Sequence, residues 1–141
     1  MYDNAYTMLM RGSSAPLSPL NTLKLIQRGL PISVFDEAKA YWHLSEKELA
    51  TLLGVGAHII KKLRVEELPL TPKCSERLLM VTELFLKAES YFMDRKLAIK
   101  WLRSPCFQLG NGITPLSLCD TVLGMERVFC EINALKYGFA S

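Results

Sequence analysis

The sequence predicts an all-α protein, and three observations support that fold class. From Leu20 onward apolar residues recur every three or four positions, and no run alternates apolar and polar residues as a half-buried strand would. Pairs of residues that start helices recur along the chain, as Ser45 with Glu48 and Thr71 with Pro72 do. Of the 141 residues, 50% are hydrophobic and 22% are charged, so the chain can form a core and is not disordered.

The length suits one domain or two small modules, since domains usually contain roughly 100 to 200 residues. We expect a flexible leader over residues 1–20, because glycine, serine and proline dominate its second half. A helix-turn-helix and dimerisation region follows over 21–70, and a carboxy-terminal helical region over 71–141. Since the first helices are short, we expect the main apolar core within 75–137.

A proline and several capping residues delimit the first helices. Pro31 ends the first patterned helix, and Ser33 is expected to cap the next one, with Asp36 supporting its first turn. Ser45 and Glu48 form a capping box, in which each side chain accepts a hydrogen bond from the other residue's amide. A new helix is therefore predicted to begin directly after Ser45.

The starts and ends of the later helices are also predicted from residues at those positions. Thr71-Pro72 is expected to start a long helix, Asp94 a second one and Thr114-Pro115 a short third. A last helix is predicted over Val122–Tyr137, where Gly138 stops it because glycine tolerates the left-handed conformation.

Residues 45–64 have the pattern of a helix-turn-helix. Ala50 is small where two helices would approach, and Gly54 suits a left-handed turn between them. Three further apolar positions would seat the second helix on the first: Val55, Ile60 and Leu63.

The second helix of this motif carries residues that suit duplex DNA. Lys61, Lys62 and Arg64 are long cations that can reach phosphates, and His58 could contact a base edge. With a net charge of +3 the chain is only mildly basic, so a dimer that doubles these contacts is the expected binding form. A symmetric dimer would recognise an inverted repeat.

Two residues of the same helix favour other interpretations. Gly56 stands where Ser or Thr usually caps such a helix, and Ile59 is apolar where DNA-facing helices are often polar. Ile59 is therefore a candidate dimerisation residue. A plain helical hairpin with a solvated basic face remains the alternative to DNA binding.

The composition argues against a metal site, a cofactor and catalysis. No phosphate-binding glycine loop, H-E-x-x-H motif or C-x-x-C pair occurs, and the chain has two histidines. We expect no zinc site, no cofactor and no enzymatic activity, with buried and inert thiols at Cys106, Cys119 and Cys130. The sequence has neither an apolar run of membrane-spanning length nor a signal peptide at its start, so we expect a cytoplasmic protein.

The carboxy-terminal half contains two motifs in a definite order. Residues 101–110 follow the pattern W-L-x-x-P-x-x-x-L-G, and residues 114–121 follow T-P-L-x-L-x-D-T. Together with the helix-turn-helix and the segment Arg28-Gly29-Leu30-Pro31, they resemble the Xre/ParS-like antitoxins of bacterial type II toxin–antitoxin pairs. The resemblance extends roughly over residues 22–141.

The resemblance implies an antitoxin whose partner is a RES-domain toxin that consumes NAD, so that the toxin and not this chain holds the cofactor. Such a protein binds its toxin through the carboxy-terminal domain, here 71–141, dimerises through the amino-terminal part and represses its own operon. The resemblance also implies that the last segment enters the NAD pocket of the toxin. Its residues here are Tyr137, Gly138, Phe139, Ala140 and Ser141.

The alternative is a plain helix-turn-helix transcriptional regulator whose carboxy-terminal half only oligomerises. The two hypotheses differ in what they require of the last residues. Tyr137 and Phe139 flank a glycine, and exposed aromatic side chains there favour an interface.

Overall fold

The structure is a computed structural model that describes residues 3–9 and 19–138. These residues form nine α-helices and one turn of 3-10 helix, without a strand, and the predicted all-α class is confirmed. None of the described helices is both long enough and apolar enough to cross a membrane. The helices are α1 (Asp3–Leu9), α2 (Pro19–Arg28), α3 (Ile32–Tyr41), α4 (Glu46–Leu52), α5 (Ala57–Val65), α6 (Pro72–Phe92), α7 (Arg95–Arg103), α8 (Pro115–Leu118) and α9 (Val122–Tyr137), with the 3-10 turn at Phe107–Leu109.

The chain divides into two compact units, Met1–Glu83 and Leu84–Ser141. The division falls inside α6, whereas the boundary expected from the sequence, between residues 70 and 71, lies ahead of that helix. The first unit contains α1 to α5 and the beginning of α6. The second contains the remainder of α6, the 3-10 turn and α7 to α9.

Most helices begin and end where their capping residues predict. Both hydrogen bonds of the Ser45–Glu48 capping box are present, at 2.9 and 3.0 Å. The side chain of Asp94 accepts from the amide two residues later, which confirms it as the cap of α7. Gly138 ends α9 with a φ of 73°, the left-handed conformation predicted for it.

The predicted start of α3 is wrong by two positions. The helix begins at Ile32, so Ser33 lies inside its first turn and caps nothing. Pro31 precedes the helix with a φ of −59°, and its preset backbone lets the helix begin immediately after it. The carboxylate of Asp36 bonds to Arg64 rather than supporting the first turn.

The prediction of a flexible leader is wrong for residues 3–9. They form α1, with Ala5 and Leu9 buried one turn apart on the same face. The amide of Ala5 donates to Oε1 of Glu83 at 2.7 Å. Glycine and proline are concentrated after residue 10, so the composition of the second half of the segment says nothing about the first. Residues 10–18 lie outside the described part.

The expectation that residues 75–137 hold the main core is also wrong, because the core is shared with the preceding helices. Of the twelve largest fully buried side chains among the described residues, six lie within 75–137 and six precede residue 75. The six that precede it are Leu30, Phe35, Trp42, Leu49, Ile60 and Leu70. Several short helices pack together with the beginning of α6, and they jointly bury an area that none of them could bury alone.

The segment between α2 and α3 is held against the beginning of α6. Gly29 has a φ of 90°, and a Cβ there would overlap the carbonyl oxygen of Leu70. The amide of Leu30 donates to Oγ of Ser75 at 2.8 Å, and the Leu30 carbonyl accepts from the amide of Leu70 at 2.9 Å. The close approach of these backbones explains why glycine precedes Leu30.

Candidate functional site

The predicted helix-turn-helix consists of α4 and α5, joined by the turn 53–56. Gly54 has a φ of 81°, in the left-handed region expected for it. Ala50, Ile60 and Leu63 are all buried in the first unit. Val55, the remaining predicted packing residue, is only half-buried. The two helices, their turn and the packing positions Ala50, Ile60 and Leu63 are therefore confirmed.

The outer face of α5 presents three of the predicted DNA-binding residues. His58, Lys61 and Lys62 are exposed. Gly56 occupies the cap position and makes no side-chain bond to the helix. A Cβ at Gly56 would lie 2.6 Å from Nδ1 of His58, so any larger residue there would force the imidazole to move. The glycine that makes a weak cap thus leaves room for the histidine beside the first turn.

Arg64, the fourth predicted DNA contact, is engaged within the chain. Its guanidinium donates to both carboxylate oxygens of Asp36, at 2.7 and 2.6 Å, and also bonds to Glu46. Nζ of Lys39 lies 3.3 Å from the same carboxylate of Glu46. We call these four side chains the Arg64 cluster. It joins α3, α4 and α5, so Arg64 does not stand with Lys61 and Lys62 as an available cation.

The Arg64 cluster shifts the pKa values of its members. Hydrogen bonds from Arg64 hold the pKa of Asp36 below its ordinary value of 3.8 and that of Glu46 below its ordinary value of 4.5. The same bonds raise the pKa of Arg64 above its usual range. A carboxylate whose pKa is lower in the folded state than in the unfolded state stabilises the fold at any pH above its unfolded-state pKa. This stabilisation is lost as the pH falls through the folded-state pKa.

We expect Arg64→Gln to lower the unfolding midpoint at pH 7 by a few degrees, because Asp36 loses its bidentate partner and Glu46 loses one charged donor. The difference from the wild type should shrink below pH 4.5 and vanish once both carboxylates are protonated in the folded state. Thermal unfolding followed by circular dichroism between pH 7 and pH 2.5 measures this. Lys62→Gln, which removes an exposed cation from the same helix, is the matched control. A constant difference at every pH would contradict the electrostatic role of the cluster.

The apolar surface of the first unit differs from the expected one. Ile59 is half-buried, neither a core residue nor a fully exposed one. On α2, however, Leu20 and Leu23 are exposed while the polar Thr22 is buried. Sequence reasoning missed this pair, because apolar residues three apart on a helix are ordinarily assigned to the core.

In the second unit, tight backbone contacts position α9. The Thr121 side chain accepts from the amide of Gly124 at 3.0 Å and caps the helix. A Cβ at Gly124 would overlap the carbonyl oxygen of Leu118, so α8 and α9 approach more closely here than any other residue would permit. The motif over residues 114–121 therefore sets the direction in which α9 leaves α8.

The end of α9 is the part of the predicted toxin-binding segment that the structure describes. Tyr137 is 62% exposed, and Gly138 follows it as the left-handed cap. Beside the last turns of α9 lies a groove of about 210 Å³. The residues that line it are Lys87, Ser90, Tyr91, Met93, Ile132, Asn133 and Lys136. The remaining segment residues, Phe139, Ala140 and Ser141, lie outside the described part.

The cysteines of the second unit differ in their surroundings. Burial, assisted by the charge of Asp120, raises the pKa of Cys119 to about 12, so this thiol is protonated and a poor nucleophile at neutral pH. Cys106 is half-buried and Cys130 is exposed, so the expectation of a buried thiol is wrong for Cys130. In the part of the chain that the structure describes, no three His, Cys, Asp or Glu side chains are grouped so that they could hold a metal ion.

Two family models match the chain one after the other. Residues 22–82 match the antitoxin Xre-like helix-turn-helix domain, and residues 87–138 match the antitoxin Xre/MbcA/ParS C-terminal toxin-binding domain. A curated relative from Sphingobium sp. (strain YBL2), named Prs ADP-ribosylating antitoxin, is 27% identical over 143 residues, which cover 95% of this chain and 86% of the relative.

The ranges of these two matches agree closely with the two units of the structure. The helix-turn-helix model ends at residue 82, one position before the first unit does, and the toxin-binding model extends to the Gly138 cap of α9. The resemblance inferred from the motifs is confirmed. With its helix-turn-helix domain followed by a toxin-binding domain, the chain belongs to the Xre/ParS-like antitoxins of toxin–antitoxin systems.

Proposed function

We propose that this antitoxin neutralises a RES-domain toxin that consumes NAD, and that it represses its own operon as a cytoplasmic homodimer without catalysing a reaction itself. The toxin-binding domain over residues 87–138 is the observation that carries the proposal. The name of the Sphingobium relative links such an antitoxin to ADP-ribosylation, a reaction that takes its transferred group from NAD. A RES-type partner of the same chemistry is therefore the best-supported one.

Neutralisation would occur by direct occlusion of the toxin's NAD pocket. Tyr137 is exposed at the end of α9, and Phe139 follows two residues later. Aromatic side chains that enter a desolvated pocket contribute strongly to binding at a low cost in rotamer entropy. Gly138, Ala140 and Ser141 are small and add little bulk between and after the two rings, which suits insertion into a narrow pocket.

The test has two steps: the product of the gene adjacent to this one should be a RES-domain protein, and its NAD turnover after purification is titrated with this antitoxin. Full inhibition near a fixed molar ratio is expected, because occlusion requires a stoichiometric complex. Continued NAD loss at excess antitoxin would contradict the proposal. If the chain bound its upstream DNA under that outcome, a plain transcriptional regulator would be favoured.

Repression would use the exposed face of α5. His58, Lys61 and Lys62 are available there, whereas Arg64 supports the helix from behind through Asp36 and Glu46. A homodimer would place two copies of α5 in successive major grooves about 34 Å apart, so the proposed operator is an inverted repeat of double-stranded DNA. One monomer carries too few free cations on this helix for tight binding on its own.

Ile59 is the proposed dimerisation residue, and Ile59→Glu should convert dimer to monomer. Dimerisation would remove the exposed part of the Ile59 side chain from water, which is favourable by roughly 25 cal/mol per Å² of apolar surface. A carboxylate at this position would cost free energy on burial and so oppose dimerisation. Sedimentation velocity of the wild type and the variant measures the mass directly. Ile59→Ala, which adds no charge, should give partial dissociation, and Thr51→Glu on α4 is the control for an added charge at an exposed position. A dimer that survives Ile59→Glu would move the interface elsewhere, with the exposed Leu20 and Leu23 of α2 next to test.

A further inference from the structure

A short loop of the second unit holds an aromatic side chain out in the solvent. The 3-10 turn Phe107–Leu109 lies between α7 and α8, and Phe107 is 86% exposed. The amide of Cys106 donates to the carbonyl of Ile113 at 2.8 Å, and the amide of Gly110 donates to the Phe107 carbonyl at 3.1 Å. The backbone on both sides of the ring is thus held by hydrogen bonds while the ring itself contacts water.

Arg127 ties this loop to α9. Its Nη2 donates to the carbonyl oxygen of Gln108 at 2.7 Å. Leu123 lies one turn before Arg127 on the same face of α9. Leu123 is 78% exposed and the adjacent Val122 is exposed as well. The bond between Arg127 and Gln108 thus joins the loop that carries Phe107 to the helix that carries Leu123, and we call these exposed apolar side chains the 107/123 edge.

Single exposed apolar residues are normal on protein surfaces, but this edge differs from them in two ways. Its apolar side chains come from two separate elements, the loop at Phe107 and the first turn of α9, and Arg127 bonds the one to the other. The backbone that carries the ring is also ordered before any partner arrives. A preorganised aromatic anchor loses little entropy on binding, which is a property of binding hot spots.

We propose that the 107/123 edge is a second contact with the toxin, separate from the segment 137–141. This inference rests on the proposed function, because the occupant is the same RES-domain toxin. The edge lies within the matched toxin-binding domain and on the same helix as Tyr137. The toxin surface that fits it has an apolar pocket for one phenyl ring, bordered by an apolar patch that Leu123 and Val122 cover.

The dimensions of α9 allow one toxin to reach both contacts. Leu123 and Tyr137 are 14 residues apart on one helix, which corresponds to about 21 Å at 1.5 Å per residue. A standard interface covers about 800 Å² on each partner, a patch roughly 30 Å across. The tail would block the pocket of the toxin, and the 107/123 edge would supply affinity at the other end of the helix.

Affinity and occlusion can be measured separately with the purified RES-domain toxin proposed above. Calorimetric titration gives the Kd, and NAD turnover at saturating antitoxin gives the inhibition. Phe107→Ala should weaken binding at least tenfold, and Leu123→Ala several-fold, while inhibition at saturation stays complete because the tail is intact. Both side chains are exposed, so the unfolding midpoints should stay at the wild-type value. Leu97→Ala, at a 48% exposed position on α7, is the matched control and should bind like the wild type.

The outcomes separate this inference from the function on which it rests. A wild-type antitoxin that binds and inhibits the toxin, with Phe107→Ala and Leu123→Ala binding as tightly, overturns the second contact and leaves the proposed function standing. Weakening by Leu97→Ala as large as that by Phe107→Ala also overturns it, since the effect would then not be specific to this edge. A wild-type antitoxin that does not bind the toxin overturns both.

Discussion

Deletion of residues 138–141 is expected to weaken inhibition of the toxin at least tenfold. The deletion removes Phe139, one of the two aromatic anchors, together with the Gly138 cap that ends α9. Truncation of an aromatic hot spot commonly costs about 2 kcal/mol or more, and about 1.4 kcal/mol corresponds to a factor of ten. NAD turnover titrated with full-length and truncated antitoxin gives the two inhibition constants.

The deletion can be divided into single substitutions. Tyr137→Ala and Phe139→Ala should each reproduce part of the loss, whereas Leu97→Ala, at an exposed position of α7, should inhibit like the wild type. Tyr137 is largely exposed, so its replacement should leave the unfolding midpoint nearly unchanged and the effect can be assigned to binding. Equal inhibition by the full-length and truncated forms would exclude occlusion by the tail and leave the helix surface as the inhibitor.

Replacement of Lys61 and Lys62 together by alanine is expected to abolish most of the salt dependence of operator binding. In a dimer these residues neutralise up to four phosphates, which corresponds to a slope of about −3.6 in a plot of log K against log salt. The double variant should weaken binding to operator and random duplex alike, because phosphates carry no sequence information. His58→Ala should instead reduce the preference for the operator with little change in slope.

Fluorescence anisotropy at several salt concentrations, with the upstream inverted repeat and a scrambled duplex, measures the slope and the preference. Lys100→Ala on α7 removes an exposed lysine from the second unit and is the matched control. If the wild type binds the upstream duplex no better than the scrambled one, the helix-turn-helix serves dimerisation and not repression. In that case the half-buried Ile59 is the more informative residue of α5.

The sequence by itself determined the helices and most of their ends. The Ser45–Glu48 capping box, the Thr121 cap and the Gly138 stop each depend on residues within four positions of one another, so composition and spacing suffice to predict them. The helix-turn-helix was predictable for the same reason, because the short turn around Gly54 leaves its two helices few ways to pack. The motifs of the second half were recognisable as a pattern before any contact was known.

Only the tertiary structure decided which side chains remain available to a partner. Arg64 looks equivalent to Lys61 and Lys62 in the sequence, yet it bonds to Asp36, 28 positions earlier in the chain. The amide of Ala5 meets the carboxylate of Glu83 across 78 positions, and Arg127 bonds to the carbonyl of Gln108 across 19. Helical periodicity specifies which face of a helix is apolar, but not which helix lies against that face. Pairings over such separations follow from the packing of whole helices, and that packing is settled by the sum of many contacts across the unit.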